Sequence, residues 1–220
     1  MRRGPLLAGS LAALVPVAWV VAHRRWRNWG ATPDEIDRAL PGDELVAPPS
    51  SSTTRAVTVD APAAEVWPWL VQMGHGRAGM YSYDLLENLI GLDIHSRWSI
   101  VDELQHLEVG DRIRLVPPGW AGLKDGYALP VAMIDEGRSL VLREDPAEGP
   151  WDAVWSFHVV PDGPDRCRLI SRGTAQDRGP AARLADELMD PVTLVMTRKM
   201  LLGIKERAEQ HWRSRPRADA

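Results

Sequence analysis

The stretch TTRAVTVDAPAAEVWPWLVQMGHGRAGMYSYDLLENLIGLDIH, from Thr53 to His95, decides the fold. Its first residues alternate between apolar and polar side chains, which predicts a half-buried strand over Arg55–Val59. Pro62 suits the first position of a helix, because its missing N–H would have no helical partner there. Apolar residues then recur at helical spacing and predict a helix that packs on a sheet, with a kink at Pro68.

The segment Gly74–Gly79 contains three glycines in six residues, which indicates backbone freedom or a close approach of two chain segments. It is not a phosphate-binding loop, since no Lys-Ser/Thr pair follows and the segment leaves a helix. A second short helix is predicted over Tyr81–Ile90. Four apolar residues form the predicted core face of this helix: Leu85, Leu86, Leu89 and Ile90.

The composition limits the number of domains and the classes of partner that the chain can have. The chain has 220 residues, 45% apolar and 25% charged, which is typical of one globular domain with appendages. A net charge of -4 provides no basic field for nucleic acid, and no nucleic-acid-binding motif is present, so we expect no nucleic-acid partner. Cys167 is the only cysteine, which excludes an intrachain disulfide and a multi-cysteine metal site.

Residues 1–28 are predicted to be an N-terminal membrane anchor. The run Gly4–Ala22 is uncharged over nineteen residues and, at about 1.5 Å per residue, nearly spans a bilayer core of ~30 Å. A cleaved secretory signal peptide and a core helix are the alternatives, although basic residues crowd the end of the run and no clean Ala-x-Ala site is present. Three arginines after the run against two before it slightly favour a cytoplasmic location for the rest of the chain.

Residues 29–52 are predicted to be a linker that carries one short helix, with Thr32 as its cap and Pro33 at its first position. Beyond His95, no strand–helix–strand repeat occurs, so the sheet is predicted to be mostly antiparallel. Its further strands are predicted near Ser99–Val101 and at Asp111–Val116, Tyr127–Ile134, Arg138–Arg143, Ala153–Val160 and Arg166–Arg172.

A long amphipathic helix is predicted at the C-terminal end of the chain. It begins at Gly179-Pro180, is interrupted at Asp190-Pro191 and continues to about Trp212. Its apolar stripe, which would lie on the sheet, is spaced four residues apart and consists of Met196, Met200, Ile204 and Ala208.

The run VTVDAPAAEVWPWL resembles the opening of the SRPBCC superfamily, also called START-like, Bet v 1-like or helix-grip. The longer run WPWLVQMGHGRAGMYSYDLLENLIGLDIHS looks like a bacterial, largely actinobacterial, subgroup of it. With the later strands and final helix, the resemblance covers about Thr53 to Trp212. It implies an α+β helix-grip domain over residues 53–213 with a charged tail, 214–220. In this fold a curved antiparallel sheet wraps around the long helix and encloses an apolar cavity. Because the fold hosts carriers, hormone receptors, cyclases and oxygenase subunits, it does not fix the function.

Several side chains are candidates for contact with a ligand in such a cavity. Tryptophan and methionine suit both a ligand wall and an ordinary core. At the cavity mouth, Arg77 would hold an anionic head group, and His75 or a tyrosine hydroxyl would orient or protonate it; the alternative is a solvated loop. The candidates are Trp67, His75, Arg77, Tyr81, Tyr83, Trp155, Met196, Met200 and Ile204.

Other chemistry has less support in the sequence. No known metal-binding spacing joins Asp84, Glu87, Asp93 and His95, so we expect no metal site. No nucleophile elbow is present, and Cys167 has no identifiable base. Two strand residues, His158 and Arg172, could point inward, and a buried arginine needs a partner or an anionic ligand.

These observations predict a membrane-tethered protein that binds a hydrophobic small molecule, such as a lipid, an isoprenoid or a polyketide-like compound, without a cofactor. One alternative is a cofactor-independent enzyme of the cyclase or dehydratase type, which would use His75, Arg77, Tyr81 or Tyr83. A second alternative is an interaction module whose core is filled by its own side chains. Ligand identity and oligomeric state do not follow from the sequence.

Overall fold

A computed structural model of the chain describes residue 23 and residues 25–144, 152–176 and 179–215. The predicted anchor run Gly4–Ala22 and Trp151 lie outside these residues. Within them, no helix is both long enough and apolar enough to cross a membrane. In chain order the elements are α1 (Pro33–Asp37), β1 (Ser51–Val59), α2 (Ala63–Val71), α3 (Asp84–Leu89), β2 (Arg112–Val116), β3 (Tyr127–Asp135), β4 (Ser139–Arg143), β5 (Asp152–Pro161), β6 (Cys167–Gln176) and α4 (Pro180–Ser214).

The six strands form one antiparallel sheet in the order β1-β6-β5-β4-β3-β2. The helix α4 packs on one face of this sheet, next to α2, β1 and β6, and we call this the inner face. The long helix against an antiparallel sheet confirms the predicted α+β helix-grip architecture.

The period-2 alternation of the strands separates the two faces of the sheet. In β5, Trp155, Phe157 and Val159 join the main core on the inner face, whereas Ser156 and His158 point to the opposite, outer face. The inner-face core continues into α4 through buried residues at helical spacing: Met200, Leu201, Ile204 and Ala208.

The outer face is covered by residues 29–46, which we call the N-terminal segment. Leu40 packs against Ala56 and Ile170, and Val46 packs against Val141 and Val154. The predicted capping box of Thr32 and Glu35 opens α1. Most of the region predicted as a linker is therefore part of the folded domain, and β1 begins at Ser51, four residues before the predicted start.

The helix α3 is shorter than predicted, and its orientation is inverted. Leu85 and Leu89 are 83% and 81% exposed, and Leu86 and Ile90 are exposed as well, whereas Glu87 is buried. The polar side chains on either side explain this orientation. Asp84 accepts hydrogen bonds from the backbone N–H and the hydroxyl of Ser96, both at 2.6 Å, and Asn88 bonds both backbone groups of Ile94. The predicted core face of this helix was therefore wrong.

Two further predictions were wrong for local reasons. Ser99–Val101 is not a strand, because the side chain of Gln72 donates to the carbonyl of Ser99 and accepts from the N–H of Val101 in place of a neighbouring strand. The C-terminal helix is continuous through Pro191. Pro191 lies on the solvent side, where water can bond the carbonyl that its missing N–H leaves free.

Candidate functional site

A cavity of about 370 Å³ lies between the N-terminal half of α4 and the inner face of β1, β5 and β6, and we call it the larger chamber. Its volume lies within the range of small-molecule sites. One part of its wall is apolar and includes Trp155, Val192 and Met196. The other part carries four charged side chains: Arg27, Arg55, Asp186 and Asp190.

A second cavity of about 180 Å³, the smaller chamber, lies between α3, β2 and the middle of α4. Trp155, Met196 and Thr197 line both chambers and so lie between them. The remaining wall of the smaller chamber is mostly apolar and consists of Met80, Ser82, Glu87, Leu92, Ile94, Leu115 and Met200.

Trp155 has its polar atom satisfied within the protein. Its indole N–H donates to the hydroxyl of Ser171 at 2.9 Å, and its ring packs on Phe157 with a centroid separation of 4.8 Å. A tryptophan whose N–H is bonded within the protein presents only its apolar ring to the surroundings. Trp155 therefore forms an apolar wall for both chambers.

The charged groups of the larger chamber are paired with one another. The guanidinium of Arg55 donates to Asp190 at 2.9 Å and to the hydroxyls of Thr193 and Thr197. Arg27 donates to Asp186 at 3.3 Å. Burial lowers the pKa of Arg55, and the carboxylate of Asp190 opposes that effect. This end of the chamber is thus a neutralised polar network and not an open anion site.

Glu87 is the polar side chain that distinguishes the smaller chamber. It is 3% exposed, and its Oε1 accepts a hydrogen bond from Ser82. Its Oε2 is buried and has no hydrogen-bond partner among the described residues. Burial is the main cause that raises the pKa of this carboxyl group; the hydrogen bond from Ser82 opposes it, and the neighbouring charge of Asp84 adds to it. The predicted core face of α3 leaves Glu87 on the opposite side of the helix, and no local signal would have shown its burial.

Three of the nine candidate residues line the chambers: Trp155 and Met196 line both, and Met200 lines the smaller one. Ile204 is fully buried one turn farther along α4 and belongs to the main core. Tyr83 is half-buried, and its ring lies 5.9 Å from the Lys199 ammonium.

The other four candidates lie away from the chambers. Tyr81 is buried edge-on against Trp69, and burial raises the pKa of its hydroxyl. Trp67 lines a separate depression beside Gln105 and Ile134. His75 and Arg77 line another depression, beside Asp93 and His95.

The role predicted for Arg77 is not what its contacts support. Its guanidinium donates to the backbone carbonyls of Val71 at 3.0 Å and Leu104 at 3.2 Å. These bonds join the loop that carries Arg77 to the end of α2 and to the segment that contains Leu104. The Arg77 nitrogen that makes these bonds is therefore used by the backbone and does not face an anionic head group.

His158 and Arg172 point to the outer face and not into the cavity. Arg172 is buried and donates to Thr54, to Asp43 and to three carbonyls of the N-terminal segment. Its partner is therefore the protein itself. Of the four residues considered for a metal, Asp84 and Glu87 bond different serines, and Asp93 pairs with His95; no group of three or more metal-binding side chains occurs among the described residues.

No protein-family model matches the chain, and no curated protein matches it in sequence. Among solved structures, it is similar to norcoclaurine synthase from Thalictrum flavum in complex with dopamine and hydroxybenzaldehyde, at 17% identity over 73% of this chain and 87% of that chain, with a TM-score of 0.44. The Zhui aromatase/cyclase from Streptomyces sp. R1128 is 16% identical over 77% and 99%, with a TM-score of 0.44. CalC, a self-sacrificing resistance protein from Micromonospora echinospora, is 12% identical over 74% and 97%, with a TM-score of 0.45.

All three similarities lie below 20% identity and below a TM-score of 0.5. The helix-grip assignment therefore rests on the strand order of the sheet and on the position of α4. In this chain the space between α4 and the sheet is divided into two chambers, and the smaller chamber contains the buried carboxyl group of Glu87.

Proposed function

We propose that the protein binds a hydrophobic small molecule between α4 and the inner face of the sheet. The observation that carries this proposal is the pair of adjoining chambers, whose common wall is formed by Trp155, Met196 and Thr197. An apolar ligand that enters the chambers removes its own surface and these walls from water, which is favourable by about 25 cal/mol per Å².

The shape and polarity of the chambers indicate the class of ligand. A mostly apolar compound with one polar group fits the smaller chamber, where one carboxyl group interrupts a mostly apolar wall, while the charged groups of the larger chamber are paired with one another. Lipids, isoprenoids and polyketide-like compounds all have this character. The hypothesis of a core filled by its own side chains is not favoured, since the chambers lie where such a core would be.

A cofactor-independent enzyme that uses the same cavity is the second candidate function. The groups predicted for it do not converge on the chambers, because His75, Arg77 and Tyr81 lie elsewhere. The observation that favours an enzyme is Glu87, a buried carboxyl group beside Ser82 in an apolar wall. Glu87 alone supports binding directly, whereas acid–base chemistry also needs the reacting atom of a substrate within hydrogen-bond reach of its carboxyl group.

We further propose that the chain is tethered to a membrane by residues 1–28. The uncharged run Gly4–Ala22 supports this, and so does an exposed apolar stripe on α4. The described chain begins beside this part of α4, where His23 lies 3.5 Å from Asp190. The exposed residues of the stripe, at helical spacing, are Leu184, Leu188, Val195 and Val192, of which Val192 also lines the larger chamber. A bilayer next to the end of the run would cover such a stripe.

Membrane extraction of the full chain tests the tether. We expect the chain to stay with the membrane fraction through an alkaline carbonate wash. The double variant Leu11→Arg/Leu14→Arg should be released, because each arginine at the centre of a span costs about 2.5–3.5 kcal/mol. The intact mass of the isolated protein is measured as well. A mass that lacks residues 1–28 would contradict the tether, because those residues would then be a cleaved signal peptide.

Solvent extraction of the purified full chain tests ligand binding. We expect an apolar compound to co-purify in a fixed ratio to the protein and to be identifiable by mass spectrometry. Its yield should fall in Met196→Trp, which places a larger side chain between the chambers, and not in Met189→Trp, the same substitution at an exposed position of α4 that lines neither chamber. Equal yields from all three proteins would indicate lipid carried over from the membrane.

A further inference from the structure

The carboxyl group of Glu87 has one oxygen bonded and one oxygen free. Oε1 accepts from Ser82, whereas Oε2 is buried without a partner among the described residues, in a chamber whose other walls are mostly apolar. A buried polar atom without a partner is unfavourable, because it has lost its hydrogen bonds to water and gained none in the protein. This arrangement therefore leaves one hydrogen-bonding position open on a side chain that lines the chamber.

The charged side chains around Glu87 are engaged with other groups. Asp84, one turn earlier in α3, is held by Ser96. In the loop after α3, Asp93 pairs with His95 at 3.0 Å. On α4, the Lys199 ammonium lies over the ring of Tyr83. None of the ion pairs among the described residues includes Glu87, so no cation there stabilises its ionised form.

These contacts favour the neutral carboxylic acid. An ionised carboxylate accepts hydrogen bonds only, and it would be buried in an apolar wall with a single donor. The neutral acid uses one oxygen as an acceptor for Ser82 and presents an O–H at the other. The O–H at Oε2 is then a donor without an acceptor.

We propose that Glu87 is the polar anchor of the ligand site, where its carboxylic acid O–H donates a hydrogen bond to a neutral acceptor oxygen, such as a ketone or ester carbonyl, of an otherwise apolar ligand. This inference rests on the proposed binding function and narrows its ligand class. It excludes plain hydrocarbons as preferred ligands. It also excludes amines, which would require the ionised carboxylate.

Three probes of nearly equal shape distinguish these classes: 2-acetylnaphthalene carries a carbonyl, 2-ethylnaphthalene does not, and 1-(2-naphthyl)ethylamine carries a cation. Each is titrated calorimetrically into the full chain in lipid nanodiscs, and the heat of partition into protein-free nanodiscs is subtracted. The quantity compared is the ratio of dissociation constants of the ethyl and acetyl probes. A ratio cancels any change in chamber size that a substitution causes.

Two substitutions at Glu87 give opposite expected results. Glu87→Gln keeps the anchor, since its amide oxygen can accept from Ser82 and its NH₂ can donate into the chamber, so the ratio stays close to that of the wild type. Glu87→Met has a similar length without the donor, so the ratio falls about tenfold, the loss expected for one hydrogen bond. The carbonyl stretch of bound 2-acetylnaphthalene should lie at lower frequency in the wild type and Glu87→Gln than in Glu87→Met.

An unchanged ratio in Glu87→Met, with both probes still bound, would overturn the anchor and leave the binding function intact. Preference for the amine in the wild type, lost in Glu87→Gln, would overturn it in favour of a carboxylate that binds cations. If no naphthalene probe binds the wild type, the proposed binding function itself fails. Thermal melting of each variant is measured first, so that a folding defect is recognised as such.

Discussion

At the scale of single residues, His158 shows how burial sets a chemical state. Its ring lies on the outer face of the sheet and bonds the hydroxyls of Ser139 at 3.0 Å and Ser156 at 2.9 Å. Burial is the main cause that lowers the pKa of His158 to about 4, and the positive charge of Arg172 adds to it. The imidazole is therefore neutral in the folded protein at pH 7.

This low pKa predicts a loss of stability in acid. His158 in the unfolded chain takes up a proton near its ordinary pKa of 6.5, whereas in the folded protein it does so only near pH 4. The unfolded state thus binds more protons between these two pH values. The free energy of unfolding therefore decreases by about 3 kcal/mol as the pH falls from 6.5 to 4.

The contribution of His158 is measured by urea unfolding at several pH values from 7 to 4. The wild type is compared with His158→Gln. The free energy of unfolding of the wild type, taken relative to the variant, should decrease by about 3 kcal/mol over that range. A difference between the two proteins that stays constant would show that His158 is not a buried neutral base. The remaining titrating groups are common to both proteins and cancel in the comparison.

At the scale of elements, the N-terminal segment matters most for stability. Arg168 bonds both Glu35 and the carbonyl of Gly30, and Arg172 bonds three further carbonyls of the segment. Apolar contacts from Leu40 and Val46 cover the same face. The buried Arg172 and the half-buried Arg168 of the sheet therefore depend on residues that precede β1.

A chain that begins at Ser50 should lose this support. We expect its free energy of unfolding to fall by more than about 4 kcal/mol, because breaking a buried ion pair alone costs 3–5 kcal/mol. A chain that begins at His23 retains the segment and is the matched control. In the full chain, Arg172→Met should cost about 3 kcal/mol. Equal denaturation midpoints for the two shortened chains would show that residues 29–46 are a linker after all.

The elements that were predicted well are those whose pattern is local. The strands from β2 to β6 and the continuation of α4 to its end followed from alternation and helical spacing. The orientation of α3 did not, because it depends on Asp84 and Asn88 bonding a loop that follows the helix. Periodicity shows that a helix has two faces, but tertiary contacts decide which face is buried.

At the scale of the whole molecule, the cavity is formed by elements far apart in the chain. The smaller chamber draws its wall from α3, β2, β5 and α4 and from the loops beside α3. The family resemblance implied that a cavity exists, and the spacing of Met196 and Met200 indicated one side of it. Side chains such as Glu87 and Ser82 could not be selected from sequence, since only the fold brings them opposite Trp155.

The measurement that tests the account most directly is a fluorescence titration of the full chain in nanodiscs with N-phenyl-1-naphthylamine, a neutral apolar dye. The wild type and Met189→Trp should show the same saturable binding of one dye per chain above the lipid background. Met196→Trp should bind at least tenfold more weakly at an unchanged melting temperature, because the new indole lies between the chambers. Absence of saturable binding in the wild type, or equal binding by all three proteins, would contradict a ligand site between α4 and the sheet.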